Sequence, residues 1–341
     1  MSASLVVLLP VILLGIVSLF CFVGCAFHTG GLGPTFTQYS STTVLGNPAV
    51  VGYWPLSETS DDLPAADLTP NPDNGQYIDP NTLPAIYKWP DYSVGNAPAP
   101  NLESAAAPGT IAFAQPGIVP GDFGVNNTDS DSSAASPCLV VNGCYVNVPF
   151  ASKINPATSF TLEAWVRVDW TKDDPQAYRA VLDARDFDPC TGFGIFAKAD
   201  DNTPGLYHWR VIMGNGGTGT PGFTTLESAD PPITLKDPSS GVATSYYLVV
   251  TYDGPSQTLI LYVDGLQSGP AITPAVYVPN TTKPLWIGAG ASYVPMRPQA
   301  AGVVASPLFP FVGALQDVAI YNAALTPAVI QTHLQNGNGF T

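Results

Sequence analysis

Charge is sparse in this chain. Only 11% of its 341 residues are Asp, Glu, Lys or Arg, against about 25% in an ordinary soluble domain. Cations are the scarcer sign: Lys and Arg number 11 against 26 Asp and Glu, a formal net charge of −15. So few cations cannot neutralise a run of phosphates, which excludes nucleic acid as a partner. Glutamate is confined to Glu58, Glu103, Glu163 and Glu227, and histidine to His28, His208 and His333. No Gly-x-Ser-x-Gly elbow or P-loop is present, which removes two common catalytic frameworks. No Cys-x-x-Cys or His-rich spacing is present either, so a zinc site is not indicated. Long helical bundles are excluded by the 32 Gly and 35 Pro that would interrupt them. Hydrophobic residues make up 45% of the chain, enough to build a core and to exclude disorder throughout.

The longest apolar run lies at the start. Leu5 to Phe27 spans 23 residues without a charge, more than the ~20 needed to cross a bilayer as a helix. Residues 1–27 are therefore expected to form a membrane anchor, with Gly15, Ser18 and Gly24 allowing close packing against partner helices. No Lys or Arg precedes Lys88, so loop charge gives no orientation. Phe22-Val23-Gly24-Cys25 loosely resembles a lipoprotein cleavage box, which leaves lipidation of Cys25 as the alternative. Either arrangement places the bulk of the chain outside the cytoplasm, in the periplasm if the source is bacterial. Residues 28–47, rich in Gly, Thr and Ser, read as a linker.

From about residue 48 to 341 the pattern is one of strands and turns. Strand-like runs occur at Val50–Leu56, Leu139–Val148, Phe160–Asp169, Leu206–Met213, Tyr246–Tyr252, Leu259–Asp264, Pro284–Ile287 and Phe311–Tyr321. In Phe160–Val168, Phe160, Leu162, Ala164, Val166 and Val168 fall on one face, and Thr161, Glu163, Trp165 and Arg167 on the other. Glu163 and Arg167 on that second face are expected to form a structural ion pair. Asp253-Gly254-Pro255-Ser256 is a hairpin turn, and Asp264-Gly265 marks another. One helix is indicated, at the end: Thr326 is a suitable N-cap, Pro327 fits the first helical position, and Gly337 can end it. Ile330 and Leu334 would dock that helix, leaving His333 solvated. Many short strands between Gly and Pro turns predict an all-β, two-sheet sandwich.

Two stretches carry further expectations. Residues 57–137 are irregular and Pro-rich, and read as a long loop insertion on the sandwich. Its aromatics Tyr77, Tyr87, Trp89 and Tyr92 suit either an interaction surface or a loop packed on its own domain. Cys138 and Cys144 flank the Asn142-Gly143 turn signal. In an oxidising compartment they are the expected disulfide.

Four stretches occur in a distinctive order. They are Val51-Gly-Tyr-Trp-Pro-Leu-Ser-Glu58 with Ala66-Asp67, and Tyr145-Val-Asn-Val-Pro149 with Ser159-Phe-Thr-Leu-Glu-Ala-Trp-Val166. The hairpin Tyr247–Gly254 with Thr258–Gly265 and the closing run Phe311–Asn322 with Ala324-Leu-Thr326 complete them. In these four the chain resembles the concanavalin A-like, laminin-G-like jelly-roll superfamily. The resemblance implies one domain whose first and last strands share a sheet. Hydrolases of the superfamily carry two Glu on one strand with an Asp between, and no two Glu here are near each other. The expectation is therefore a non-catalytic domain without a required cofactor. Relatives often hold calcium, which makes Asp67, Asp122 and Asp317 the metal candidates. At the closing-strand position where the family carries Asp, this chain has Gln316, with Asp317 next. Tyr207, Trp209 and Tyr293 could furnish an aromatic platform for a glycan, or be core.

Two functions fit these observations. One is an accessory subunit that docks through its anchor and its low-charge surface on an integral membrane protein complex, photosynthetic or respiratory assemblies being natural hosts. The alternative is a tethered, lectin-like glycan-binding module, with calcium as its candidate ion.

Overall fold

The computed structural model describes residues 39–58, 62–78, 110–116, 118, 123–128, 144–172, 177–218, 222–291 and 309–338. The expectations for the anchor Leu5–Phe27 with Gly15, Ser18 and Gly24, and for Tyr87, Trp89, Tyr92, Asp122, Cys138 and Tyr293, lie outside them. Among the described residues no helix is long and apolar enough to cross a membrane.

Strands are numbered in chain order. Two antiparallel sheets form a β-sandwich. The first sheet has eight strands, in the order β15 (Leu266–Gln267), β14 (Thr258–Val263), β13 (Thr244–Asp253), β6 (Phe160–Val168), β17 (Gly313–Tyr321), β4 (Phe123–Thr128) and β3 (Thr110–Pro116). Its eighth strand, β1 (Val50–Trp54), also pairs with β17, beside β4 on the same edge. The second sheet has seven strands: β12 (Phe223–Glu227), β11 (Tyr207–Gly214), β10 (Phe193–Ala199), β7 (Tyr178–Asp183), β16 (Leu285–Ile287), β5 (Tyr145–Val148) and β2 (Gln76–Ile78). A small ribbon pairs β8 (Asp186–Phe187) with β9 (Cys190–Thr191). The one α-helix described, α1 (Pro327–Gly337), follows the closing strand.

The alternation read in β6 is the one that builds the core. Phe160, Leu162, Ala164, Val166 and Val168 face the space between the sheets, where they meet Val181, Ile195, Val211, Leu248 and Ile287. Burying each such side chain stabilises the fold by about 1.5–3 kcal/mol relative to exposure. The β13–β14 hairpin pairs Leu248 with Val263 through to Asp253 with Thr258, as its turn signal predicts. At its other end Asp264 and Gly265 both adopt positive φ (50° and 75°), the left-handed pair that a two-residue hairpin turn requires. Asp264 also accepts a 2.8 Å hydrogen bond from the Tyr247 amide, which fixes the turn.

The reverse face of β6 is not solvated. A π-helical turn at Tyr39–Val44 and helix α1 lie over it, forming a second apolar cluster with Trp165, Tyr247, Tyr321 and Ile330. Of the stretch read as a linker, this turn is thus packed into the domain, tied to α1 by Asn336 donating to Thr43 Oγ1 (2.8 Å). Helix α1 begins as expected, with Thr326 Oγ1 accepting from the Val329 amide (3.4 Å). Gly337 lies against Trp165 so closely that a Cβ would sit 2.3 Å from the indole.

Candidate functional site

Three polar arrangements stand out. The first lies beneath α1 and carries Glu163. Its Oε1 accepts from the Tyr39 hydroxyl (2.5 Å), and its Oε2 accepts from the Tyr321 hydroxyl (2.8 Å) and faces His333 Nδ1 at 2.9 Å. Tyr39 in turn accepts from Trp165 Nε1 (2.9 Å). Burial opposes the charge on Glu163, but His333 and the phenols more than offset it and hold the carboxyl below its ordinary value. Burial likewise opposes charge on His333, and the carboxylate holds its pKa above the ordinary one. Burial first, and then the Glu163 charge, push the Tyr39 and Tyr321 phenols well above their usual range, so they remain donors.

Two expectations are corrected by this arrangement. Glu163 does not pair with Arg167, whose guanidinium instead grips Asp169 through Nε (3.1 Å) and Nη2 (3.0 Å). Arg167 is near the strand's end and reaches a carboxylate two residues away, whereas Glu163 is sealed under the helix. His333 is not solvated but 3% exposed, because it shares the buried stripe of α1 with Ile330 and Gly337.

The second arrangement contains the metal candidates, which the structure separates. Asp317 lies in a bulge of β17 with φ of 51° and accepts from the Tyr53 hydroxyl (2.5 Å). Asp67 meets the other end of the same residue, accepting from the Tyr53 amide (3.1 Å). It also accepts from the amides of Thr69 (2.9 Å) and Asp73 (2.8 Å) and from Lys153 Nζ (3.0 Å). Burial opposes its charge, but these donors hold its pKa below the usual value. Calcium takes six to eight oxygens, and at Asp67 the place of a cation is taken by the Lys153 ammonium. The donor set therefore does not fit calcium while Lys153 is seated. Among the described residues no group of three or more His, Cys, Asp or Glu is placed to hold a metal ion.

The third arrangement is the outer face of the seven-stranded sheet. Along β11, Tyr207, Trp209, Val211 and Met213 point into the core, so His208, Arg210 and Ile212 point outwards. This corrects Tyr207 and Trp209 as a glycan platform: they are 1% and 2% exposed core residues. Tyr77 is also core on its strand, its hydroxyl donating to Glu58 Oε2 (2.5 Å). On the outer face Arg210 donates to Glu227 Oε1 (2.7 Å) and to the Tyr178 hydroxyl (3.0 Å). Its guanidinium lies 6.0 Å from the Tyr178 ring centroid. Nearby, Arg185 forks onto Asp183, with Nε to Oδ1 at 2.7 Å and Nη2 to Oδ2 at 3.0 Å. It lies 4.5 Å from the Phe196 ring, 5.2 Å from Phe187 and 5.5 Å from Phe223. Towards β5, Trp286 donates to Asn147 Oδ1 (3.0 Å) and stacks edge-on with Tyr145. Tyr178, Phe187 and Phe223 are only partly buried. The face thus sets apolar rings beside two Arg–carboxylate pairs, the partly exposed Arg210–Glu227 and the buried, forked Arg185–Asp183. Sequence reading missed it, although the alternation in Tyr207–Met213 contains the signal.

Cys144 is buried at the entry to β5, and its pairing with Cys138 lies outside the described residues. Asn280 is committed to the fold, its Nδ2 donating to Lys283 O (2.7 Å) and Asn155 Oδ1 (3.3 Å).

The third laminin G family, described as the concanavalin A-like lectin/glucanases superfamily, matches residues 142–331. No curated protein matches the chain. Among solved structures, the binding domain of botulinum neurotoxin serotype D/C VPI 5993 is similar at 10% identity and TM-score 0.49, covering 85% of this chain and 52% of its own. Domain 4 of AbnA, an extracellular arabinanase from Geobacillus stearothermophilus solved with arabinotriose, matches at 13% identity and TM-score 0.46, covering 84% and 98%. The binding domain of Paraclostridial Mosquitocidal Protein 1 matches at 14% identity and TM-score 0.47, covering 84% and 52%. The chain spans about half the length of the two toxin domains.

Proposed function

The chain belongs to the concanavalin A-like lectin/glucanases superfamily, and from that premise we propose that it is a non-catalytic recognition module for hydroxyl-rich ligands, carbohydrate first, held at a membrane by residues 1–27. The observation that carries this reading is the outer face of the seven-stranded sheet. Ligand sites combine apolar walls with a few well-placed polar groups, and Arg and Tyr are enriched where binding energy concentrates. Arg210 is held by Glu227 and lies beside the Tyr178 ring, so little side-chain freedom is lost on binding.

Catalysis is disfavoured by the occupation of the acids. A glycosidase needs two carboxyl groups across the scissile bond, roughly 5–10 Å apart, one of them protonated. Each described glutamate is already engaged: Glu58 by the Ala66 amide and Tyr77, Glu163 beneath α1, and Glu227 by Arg210. Asp183 accepts from Arg185 and from the Ala291 amide (2.7 Å).

The test is an oligosaccharide array probed with the full chain in mild detergent, followed by titration of any retained sugar. Retention of a neutral oligosaccharide class, weakened at least tenfold by Arg210→Ala and by Tyr178→Ala, is the expected result. An empty array, together with a stoichiometric protein partner co-migrating from native membranes, would overturn it in favour of the accessory-subunit reading.

A further inference from the structure

The ammonium of Lys153 sits in a cage of oxygens. Val51 O lies at 2.9 Å, Asp67 Oδ2 at 3.0 Å, Thr69 Oγ1 at 3.3 Å and Asp73 Oδ2 at 3.3 Å, and Asn71 O completes the set. Alternate residues 67, 69, 71 and 73 each turn an oxygen inwards, while the fifth oxygen comes from β1. A lysine has three N–H groups, fewer than the five oxygens around it. Asp73 Oδ2 shows the mismatch directly: it is buried, accepts no hydrogen bond, and faces the charge all the same. A cage with more acceptors than available protons, and two carboxylates against one ammonium, is built for a spherical cation of higher charge. The Asp67 side chain is fully buried in it, so the carboxylate cannot turn to water if the ammonium is withdrawn. The cage also reaches the core, because Asp73 O accepts from Trp54 Nε1 (3.0 Å).

We propose that this cage is a cation site whose resident cation is the Lys153 ammonium. The loop Asp67–Asp73 is thereby closed without a metal, and removing the ammonium turns the cage into a divalent-cation site. Lys153 enters from the short helical turn Ser152–Ile154, anchored by the buried Ile154, so the charge is delivered by a fixed piece of backbone. The inference does not depend on what the seven-stranded sheet binds.

The experiment compares the full-length wild type with Lys153→Ala in mild detergent, by thermal unfolding in EDTA, in millimolar calcium chloride and in magnesium chloride. Isothermal titration with calcium chloride accompanies it. The wild type should melt at one temperature in all three. Lys153→Ala should melt lower in EDTA, by roughly 5–10 °C. Calcium should recover most of that loss, with one site in the range of about 10⁻⁴–10⁻³ M found in other modules of moderate affinity. Magnesium, which demands a tighter octahedron, should recover less. Adding Asp73→Asn to Lys153→Ala should abolish calcium binding. A calcium-dependent melt of the wild type would overturn the proposal, since the ammonium would then not hold the site. So would a Lys153→Ala chain that melts as the wild type does in EDTA, or one that is unfolded both with and without calcium.

Discussion

The outer faces of the two sheets follow the same period-2 alternation and end in opposite states. On the eight-stranded sheet, the residues opposite the core in β6 include Glu163 and Trp165, and both are sealed beneath Tyr39–Val44 and α1. On the seven-stranded sheet, the residues opposite the core include Arg210 and Glu227, whose side chains remain 19% and 43% exposed. Strand chemistry does not separate them, since each face mixes aromatics with charges. The separation comes from the parts of the chain on either side of the sandwich, which both fold onto the first face. A charge sealed on the first face must be satisfied from within. On the second face the Arg185–Asp183 pair is buried in the same way, whereas Arg210 and Glu227 keep access to solvent.

Substitutions can break that contrast. The largest effect is expected from Glu163→Ala, which leaves His333, Tyr39 and Tyr321 without their acceptor under the helix. Unfolding in urea should show a loss of about 3–5 kcal/mol; a loss within 1 kcal/mol of zero would refute the sealed network. Next is Gly337→Ala. The added Cβ meets the Trp165 ring at 2.3 Å and should lift the end of α1 at about 1–3 kcal/mol, read as lost protection of the β6 amides in hydrogen exchange. Unchanged protection would show that the helix end does not bear on Trp165.

The pH dependence follows from the same pair. His333 is held above its usual 6.5, so its contribution is complete below that value and is lost as pH rises through the folded pKa. Glu163 is held below its usual 4.5, so its contribution is complete above 4.5 and is lost as pH falls through the folded pKa. The pair therefore stabilises most between pH 4.5 and 6.5. Urea midpoints should decline above that window, and His333→Gln should flatten the decline. A decline that persists in the variant would trace to the overall charge of −15 instead. The smallest change in stability belongs to the other face. Arg210→Ala should alter the unfolding free energy by less than about 1 kcal/mol. A large destabilisation would make that face structural as well.

Local features were legible in the sequence and distant partnerships were not. The β6 alternation, the β13–β14 hairpin and the Thr326 cap each rest on neighbours within a few residues, where periodicity and turn chemistry decide the outcome. The environment of Glu163 depends on residues 124, 158 and 170 positions away. The cage at Lys153 joins segments 82 to 102 positions apart. No spacing rule reports such pairings. His333 is an intermediate case. Its i, i+3 relation to Ile330 was present in the sequence, but one polar residue on a short helix is ordinarily solvated, and the cover supplied by Tyr39–Val44 could not be foreseen. The outer face of the seven-stranded sheet was hidden for a related reason. Attention to aromatic residues selected Tyr207 and Trp209, when the alternation had placed them in the core and their neighbours outside.

Strand β17 has a consequence for how the chain is made. It pairs with β6 on one edge and with β1 and β4 on the other. A growing polypeptide therefore makes every other strand of this sheet before β17, which lies in its interior. Until residues 313–321 emerge, the edges of β6, β4 and β1 that β17 will pair have no partner in this sheet. Pairings that wait on so late a strand are non-local, which slows folding and leaves strand edges open to aggregation in the meantime.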